Sequence, residues 1–565
     1  MKKTIIASLL LSTLTMNIAH AEGDFSETKT NGDKVEFENT EKVKVNEPVV
    51  VKQQMARTVK VPNFKARQYK GKVRNENVLV VLMDFSDSKQ STLTKKDTQN
   101  YYKNYTKSYY NQLFFGDTYK APDGKSYDTL KTYYKQASGN SLNIKGQVSG
   151  WYRAKHPLKY YGGGDDKNVG ELIMEAARKA AQDPKVKMTD YDRYDYYDFD
   201  NDGNIYEPDG LIDKLVVIFS GVGESEGGGK LGSKSIWEHV SEVPFTEHGN
   251  PKTIVGTKSK YSKFYKDRLA VAEYGIMAED STVGTVAHEF GHMLGLIDEY
   301  DVSPSSVDHA GEPVRYWSLM SYGADAGKIH GTQPVGMSPL AKSDLQQLYG
   351  GNWTLGSEVN YRTIDSKGKE FLLDQAGIKG SNNDVVKVNL PSVKKIRGGK
   401  VKRFNQYYLL EWRSHNGLDK GLGAIYDPFG RNKYGKGLVI WYVDESYENN
   451  GNLVKHPGKS LLGVVDANPK SIMAKSGFSP ITDTQIYDAA FNTRDYGNYN
   501  SKPDYYFKKP STKPVSTFSD KNYTQKDLNS LTIQEAGRVL PQLGLKIKVV
   551  DQNKDGTVAK IKIYK

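Results

Sequence analysis

The chain has 565 residues, 37% apolar and 26% charged, a balance that excludes a disordered polymer and leaves room for two or three domains. It contains no cysteine, which rules out a cysteine nucleophile, thiolate zinc ligands and a disulfide framework. The formal charge of +12 is compatible with association with anionic cell surfaces, although scattered lysine more often serves plain solvation, and no recognition motif points to nucleic acid.

Residues 1–21 read as a cleavable export signal. Lys2 and Lys3 supply the positive end, an apolar run covers 5–14, and Ala19-His20-Ala21 has the small-x-small form of a cleavage site. That run is too short to cross ~30 Å of hydrocarbon, and no later stretch approaches ~20 apolar residues. The chain is therefore expected outside the cell, with no transmembrane anchor in its mature form. Residues 22–74 are polar and short of large apolar groups, as a propeptide or flexible leader is.

A first folded unit is expected over 75–350. The run 78–83, all apolar and ending at Asp84, predicts a buried strand, as does 215–219. Aromatic spacing over 101–115 and amphipathic spacing over 169–181 predict helices. Glycines crowd 221–232, but no lysine-serine ending follows, so a surface loop is expected rather than a phosphate cradle.

Asp198-Phe199-Asp200-Asn201-Asp202-Gly203-Asn204 places acids at positions one, three and five of a loop, with Asp209 at twelve. Asp198, Asp200, Asp202, the Asn204 carbonyl and Asp209 can surround one hard cation, and calcium is expected there. Asp551-Gln552-Asn553-Lys554-Asp555-Gly556 lacks an acid at position twelve and reads as a β-turn.

The sharpest signal is His288-Glu289-Phe290-Gly291-His292-Met293-Leu294-Gly295-Leu296-Ile297-Asp298. On a helix, residues i and i+4 share a face, so both imidazoles can reach one zinc ion at ~2.0–2.1 Å. Asp280 or Ser281 can cap the helix start, and Gly295 can end it in the left-handed conformation. The chain then doubles back, bringing Asp298 to the metal as third ligand and leaving one position for water. Glu289 is placed to act as general base on that water, and the reaction class is metal-assisted amide hydrolysis. The segment Trp317-Ser318-Leu319-Met320-Ser321-Tyr322 resembles the methionine turn of metzincins, with Met320 as apolar floor and Tyr322 as a hydrogen-bond donor to the developing oxyanion.

After Gly350 strand-like segments recur at 371–374, 385–388, 407–412, 438–443, 461–465, 545–550 and 558–563, with turn residues between them. The expected fold class is an α+β metzincin-like zinc protease domain followed by an all-β C-terminal region over 351–565.

The resemblance extends beyond the zinc motif. Tyr110 to Gly116, Tyr133-Tyr134 with Ser138-Gly139, the aspartate loop through Glu207-Pro208-Asp209-Gly210, His288 to Tyr300, Trp317 to Ser321 and Gly437 to Asp444 together resemble the immune inhibitor A family of secreted bacterial metalloendopeptidases. That resemblance implies a propeptide, a zinc-dependent catalytic domain stabilised by calcium, β-rich C-terminal modules and protein or peptide substrates. Relatives often have glycine where this chain has Tyr322.

Overall fold

The computed structural model describes residues 71 and 73–565, apart from 197–201, 203, 244–250, 303–311, 377–382, 398, 426–432, 470–485, 495–513 and 532–533. The export signal, nearly all of the leader, Asp198 and Asp200 lie outside the described residues.

The first sheet forms because several short runs are apolar on both faces, the signature of a covered parallel sheet. Its strands are β1 (Arg74–Asp84), β2 (Leu142–Arg153), β3 (Leu215–Phe219), β4 (His239–Glu242) and β5 (Glu273–Ala278), in the order β2-β1-β3-β5-β4. All neighbours run parallel except β4, which lies antiparallel on the edge beside β5. Alternate residues of β1 serve two cores: Val78, Val80 and Leu82 on one face, Leu79, Val81 and Met83 on the other.

Helices cover both faces. Helices α1 (Lys107–Phe115) and α2 (Leu130–Ala137) pack on the first face, and α3 (Val169–Gln182) on the second. The helix expected from 101 begins only at Lys107, where the Thr106 hydroxyl accepts from the Tyr109 amide and caps it. Tyrosines fill the first core, and several hydroxyls find carbonyls: Tyr110 donates to Glu279 O at 2.8 Å and Tyr133 to Val335 O at 2.7 Å. Helix α4 (Val283–Met293) follows β5 directly and packs into the same core, and α5 (Pro339–Tyr349) closes this part of the chain.

Strands then dominate. In chain order they are β6 (Gly356–Asn360), β7 (Lys369–Asp374), β8 (Val385–Asn389), β9 (Val393–Arg397), β10 (Lys400–Phe404), β11 (Gln406–Arg413), β12 (Gly437–Asp444), β13 (Leu462–Val465), β14 (Thr517–Ser519), β15 (Lys546–Gln552) and β16 (Val558–Tyr564). They form a five-stranded sheet β6-β8-β11-β12-β13, a four-stranded sheet β7-β16-β15-β14, and a separate hairpin β9-β10. One five-residue helix, α6 (Gln525–Asn529), interrupts the β pattern. Residues 553–557 form the turn between β15 and β16, with Gly556 at φ +67°.

The five-stranded sheet is covered on both faces. Val388, Tyr408, Leu410 and Ile440 pack with Ile547, Val549, Ile561 and Ile563 of the four-stranded sheet. Tyr407, Leu409, Val439 and Trp441 pack on the opposite face with Val314, Trp317 and Val335, which belong to the segment after α4. This second contact joins the C-terminal strands to the candidate site.

Candidate metal centre

Helix α4 carries His288 and His292 one turn apart. Its N-cap is Thr282; neither Asp280 nor Ser281 fills that place, because the Ser281 hydroxyl accepts from the Ala278 amide and the Gly284 amide donates to Gly331 O. At the other end Gly295 adopts φ +92°, its amide donates to His292 O, and the Leu296 amide returns to Gly291 O. This reversal delivers Asp298 to the histidines.

Three donor atoms converge. The His288 and His292 Nε2 atoms lie 3.1 Å apart, and Asp298 Oδ1 lies 3.1 Å from the first and 3.2 Å from the second. A tetrahedral ion with ligands at ~2.0–2.1 Å requires edges of about 3.3–3.4 Å, so the triangle fits zinc with a few tenths of an ångström of expansion. Among the described residues this is the one group of three or more histidine and acidic side chains close enough to share an ion.

The outer nitrogens explain why a cation suits the site. His288 Nδ1 sits 2.9 Å from Leu319 O and His292 Nδ1 2.9 Å from Leu296 O, so each carries its proton there. In the neutral rings both Nε2 lone pairs then face the Asp298 carboxylate, and three acceptors meet without a proton among them. Burial opposes protonation of His292, yet Asp298 outweighs it and pushes the ring up to about 10. Burial alone would raise Asp298, but the two imidazoles hold it well below the usual carboxylate range. The pocket is built to hold positive charge.

Glu289 is buried beside this group, and its burial raises its pKa against the opposing influence of both histidines. Met320 lies under α4 at Gly291: a Cβ added there would come within 2.6 Å of its sulfur. Tyr322 opens a short 3₁₀ turn, half-buried, with the Arg315 guanidinium 3.5 Å above its ring. Arg315 carried no motif in the sequence. Tyr300, the last residue of the resembling His288–Tyr300 stretch and given no role there, stacks on His288 with ring centres 6.4 Å apart.

The surroundings of α4 are tied from several directions. Tyr134, in α2, donates to Ala287 O at 2.7 Å; Lys214 donates to Met293 O at 2.6 Å; Tyr349 donates to Leu294 O at 2.9 Å. Further contacts come from beyond residue 400. Arg413 Nη1 donates to Trp317 O at 2.8 Å, and Asn450 donates to Glu299 O at 2.6 Å. The Glu299 amide in turn donates to Met320 O at 2.7 Å.

Of the aspartate loop, Asp202 and Asn204 are exposed while Asp209 is buried. Burial, together with the carboxylates of Asp192 and Asp195, pushes Asp209 up to about 8. Asp192 and Asp195, which fell outside the twelve-residue pattern, are also buried, and Asp192 accepts from the Asp209 and Gly210 amides at 3.0 and 3.1 Å.

Comparison with known proteins agrees with this geometry. The family model of the immune inhibitor A peptidase M6 catalytic domain matches residues 64–354, just over half of the chain. That of the immune inhibitor A-like metallopeptidase VEG domain matches residues 401–561. The pre-pro-metalloprotease PrtV of Vibrio cholerae serotype O1 (strain M66-2) is 29% identical over 663 aligned positions, which cover 88% of this chain and 70% of that one. Immune inhibitor A of Bacillus thuringiensis subsp. alesti is 29% identical over 676 positions, covering 90% and 95%.

Proposed function

The chain belongs to the immune inhibitor A family of metallopeptidases, and from that premise we propose that it is a secreted zinc endopeptidase of extracellular proteins. The convergence of His288 Nε2, His292 Nε2 and Asp298 Oδ1 within 3.2 Å is the observation that carries this reading. Bound there, zinc supplies Lewis-acid polarisation and acidifies water.

The protein's own groups do the rest. Leu319 O and Leu296 O fix the imidazole orientations, and Met320 supplies an apolar floor in the manner of a metzincin. Glu289, desolvated and beside both histidines, accepts a proton from the attacking water and passes it to the leaving amine. Tyr322 donates a hydrogen bond to the oxyanion as it forms. Residues 1–21 serve as export signal, 22–74 as propeptide, 75–350 as catalytic domain and 351–565 as a β-rich domain. Calcium, held by Asp198, Asp200, Asp202, Asn204 and Asp209, stabilises the catalytic domain; like charges gathered around buried Asp209 favour a cation there.

Casein hydrolysis by the purified protein tests the reading. A strong zinc chelator is expected to abolish cleavage and added zinc to restore it, whereas undiminished cleavage in chelator refutes it. A calcium-selective chelator is expected to lower Tm; an unchanged Tm removes the calcium site.

A further inference from the structure

The hairpin β9-β10 stands apart from every other strand. It extends the β8-β11 ladder beyond the Asn389–Tyr407 pair and, among the described residues, pairs with no other sheet. Its twelve residues, Val-Lys-Lys-Ile-Arg-Gly-Gly-Lys-Val-Lys-Arg-Phe, contain six cations and no acid.

The register makes this arrangement costly. Lys394 faces Arg403 and Lys395 faces Lys402, so two adjacent rungs oppose like charges. Directly opposed like charges destabilise an antiparallel pair, and a lone two-stranded ribbon has little stability to spare. Lys395 rests 3.7 Å over the Tyr447 ring. Lys394, Lys400, Lys402 and Arg403 are exposed and make no ion pair among the described residues. A surface carrying dense negative charge would relieve the repulsion.

One rung identifies which kind of surface. Ile396 and Val401 face each other and are 74% and 66% exposed, among the largest exposures of any aliphatic side chain described. By strand alternation they share a face with Lys394 and Arg403. An aliphatic pair near the turn with cations behind it matches the boundary of an anionic bilayer, apolar groups entering the acyl region and charges meeting headgroups. A soluble polyanion would gain nothing from the aliphatic pair.

We propose that the β9-β10 hairpin docks the protein on anionic phospholipid membranes, with Ile396 and Val401 inserted and Lys394 and Arg403, on the same face, against the headgroups. The peptidase reading above does not depend on it.

The test is co-sedimentation of the full-length purified protein with vesicles. Binding is expected to phosphatidylcholine vesicles containing about 30% phosphatidylglycerol and not to pure phosphatidylcholine, and to fall away as salt approaches ~1 M. Each cation is worth about 1 kcal/mol near such a surface, so Lys394→Gln with Arg403→Gln should weaken partitioning roughly 25-fold. Ile396→Ser with Val401→Ser should weaken it about tenfold or more, with Tm and casein cleavage unchanged. Equal binding to neutral vesicles, no binding, or variants that bind as the parent does would each overturn the proposal. Undiminished binding by the serine variant, with competition by soluble polyphosphate, would show an ionic contact in place of membrane docking.

Discussion

Single side chains decide what the centre can do. Tyr322 stands two residues after Met320, and burial raises its phenol so that it stays protonated as a donor. If it serves the oxyanion, Tyr322→Phe lowers kcat about a hundredfold or more with KM nearly unchanged. An unchanged kcat would reduce Tyr322 to a packing role under Arg315. His415 makes a separate, pH-dependent contribution. Burial, offset in part by a hydrogen bond to Tyr434 O at 2.8 Å and aided by Lys433 and Lys436, lowers its pKa to about 4 from 6.5. The folded state therefore prefers the neutral ring: its stabilising effect is complete above 6.5 and is lost as pH falls through 4. Thermal melts between pH 7 and 5 should show Tm falling, with His415→Gln removing about 2 kcal/mol of the stability change over that interval. An identical slope in that variant would assign the dependence elsewhere. At this scale His288, His292 and Asp298 were readable because helical spacing alone forces the pairing and Gly295 allows the return. Tyr300 and Arg315 were not, since a ring stacked on a ligand leaves no periodic trace.

Elements were legible where both faces are buried. The runs at 78–83, 215–219 and 438–443 became strands because continuous β-branched sequence has no helical alternative at that length. Strand β2 was missed because its burial is interrupted along its length, and β9-β10 because a solvated basic ribbon lacks an apolar stripe. The connection between β11 and the segment 317–320 was invisible too, being a matter of tertiary contact. Arg413, fully buried, pairs with Asp419 through two contacts of 2.6 Å, meets Glu411 at 3.2 Å, and still donates to Trp317 O. Removing it leaves buried Asp419 without its cation, Glu411 with Lys342 alone, and the Trp317 carbonyl without this donor. Arg413→Met is expected to cost about 3–5 kcal/mol in urea denaturation, and Arg413→Lys to restore little of it because an ammonium cannot make the fork. A loss below about 1 kcal/mol would mean that this brace contributes nothing.

The whole molecule couples its two halves more closely than the composition shift at Gly350 suggests. Trp317 and Val335 of the site-bearing half share a core with Tyr407, Leu409, Val439 and Trp441. A fragment ending at residue 350 would expose that cluster and lose both Arg413 and Asn450 from the metal-site loops. It is expected to be aggregated or inactive towards casein; a soluble fragment with full activity would show that the C-terminal strands are dispensable. The central claim concerns four residues, His288, Glu289, His292 and Asp298, and one experiment isolates it. Glu289→Gln keeps the shape of the site and all three metal-binding atoms while removing the base. With zinc content measured alongside, it should still hold one zinc ion per chain and cleave casein about 10²–10⁴-fold more slowly. Full activity in zinc-loaded Glu289→Gln would contradict the mechanism at its core.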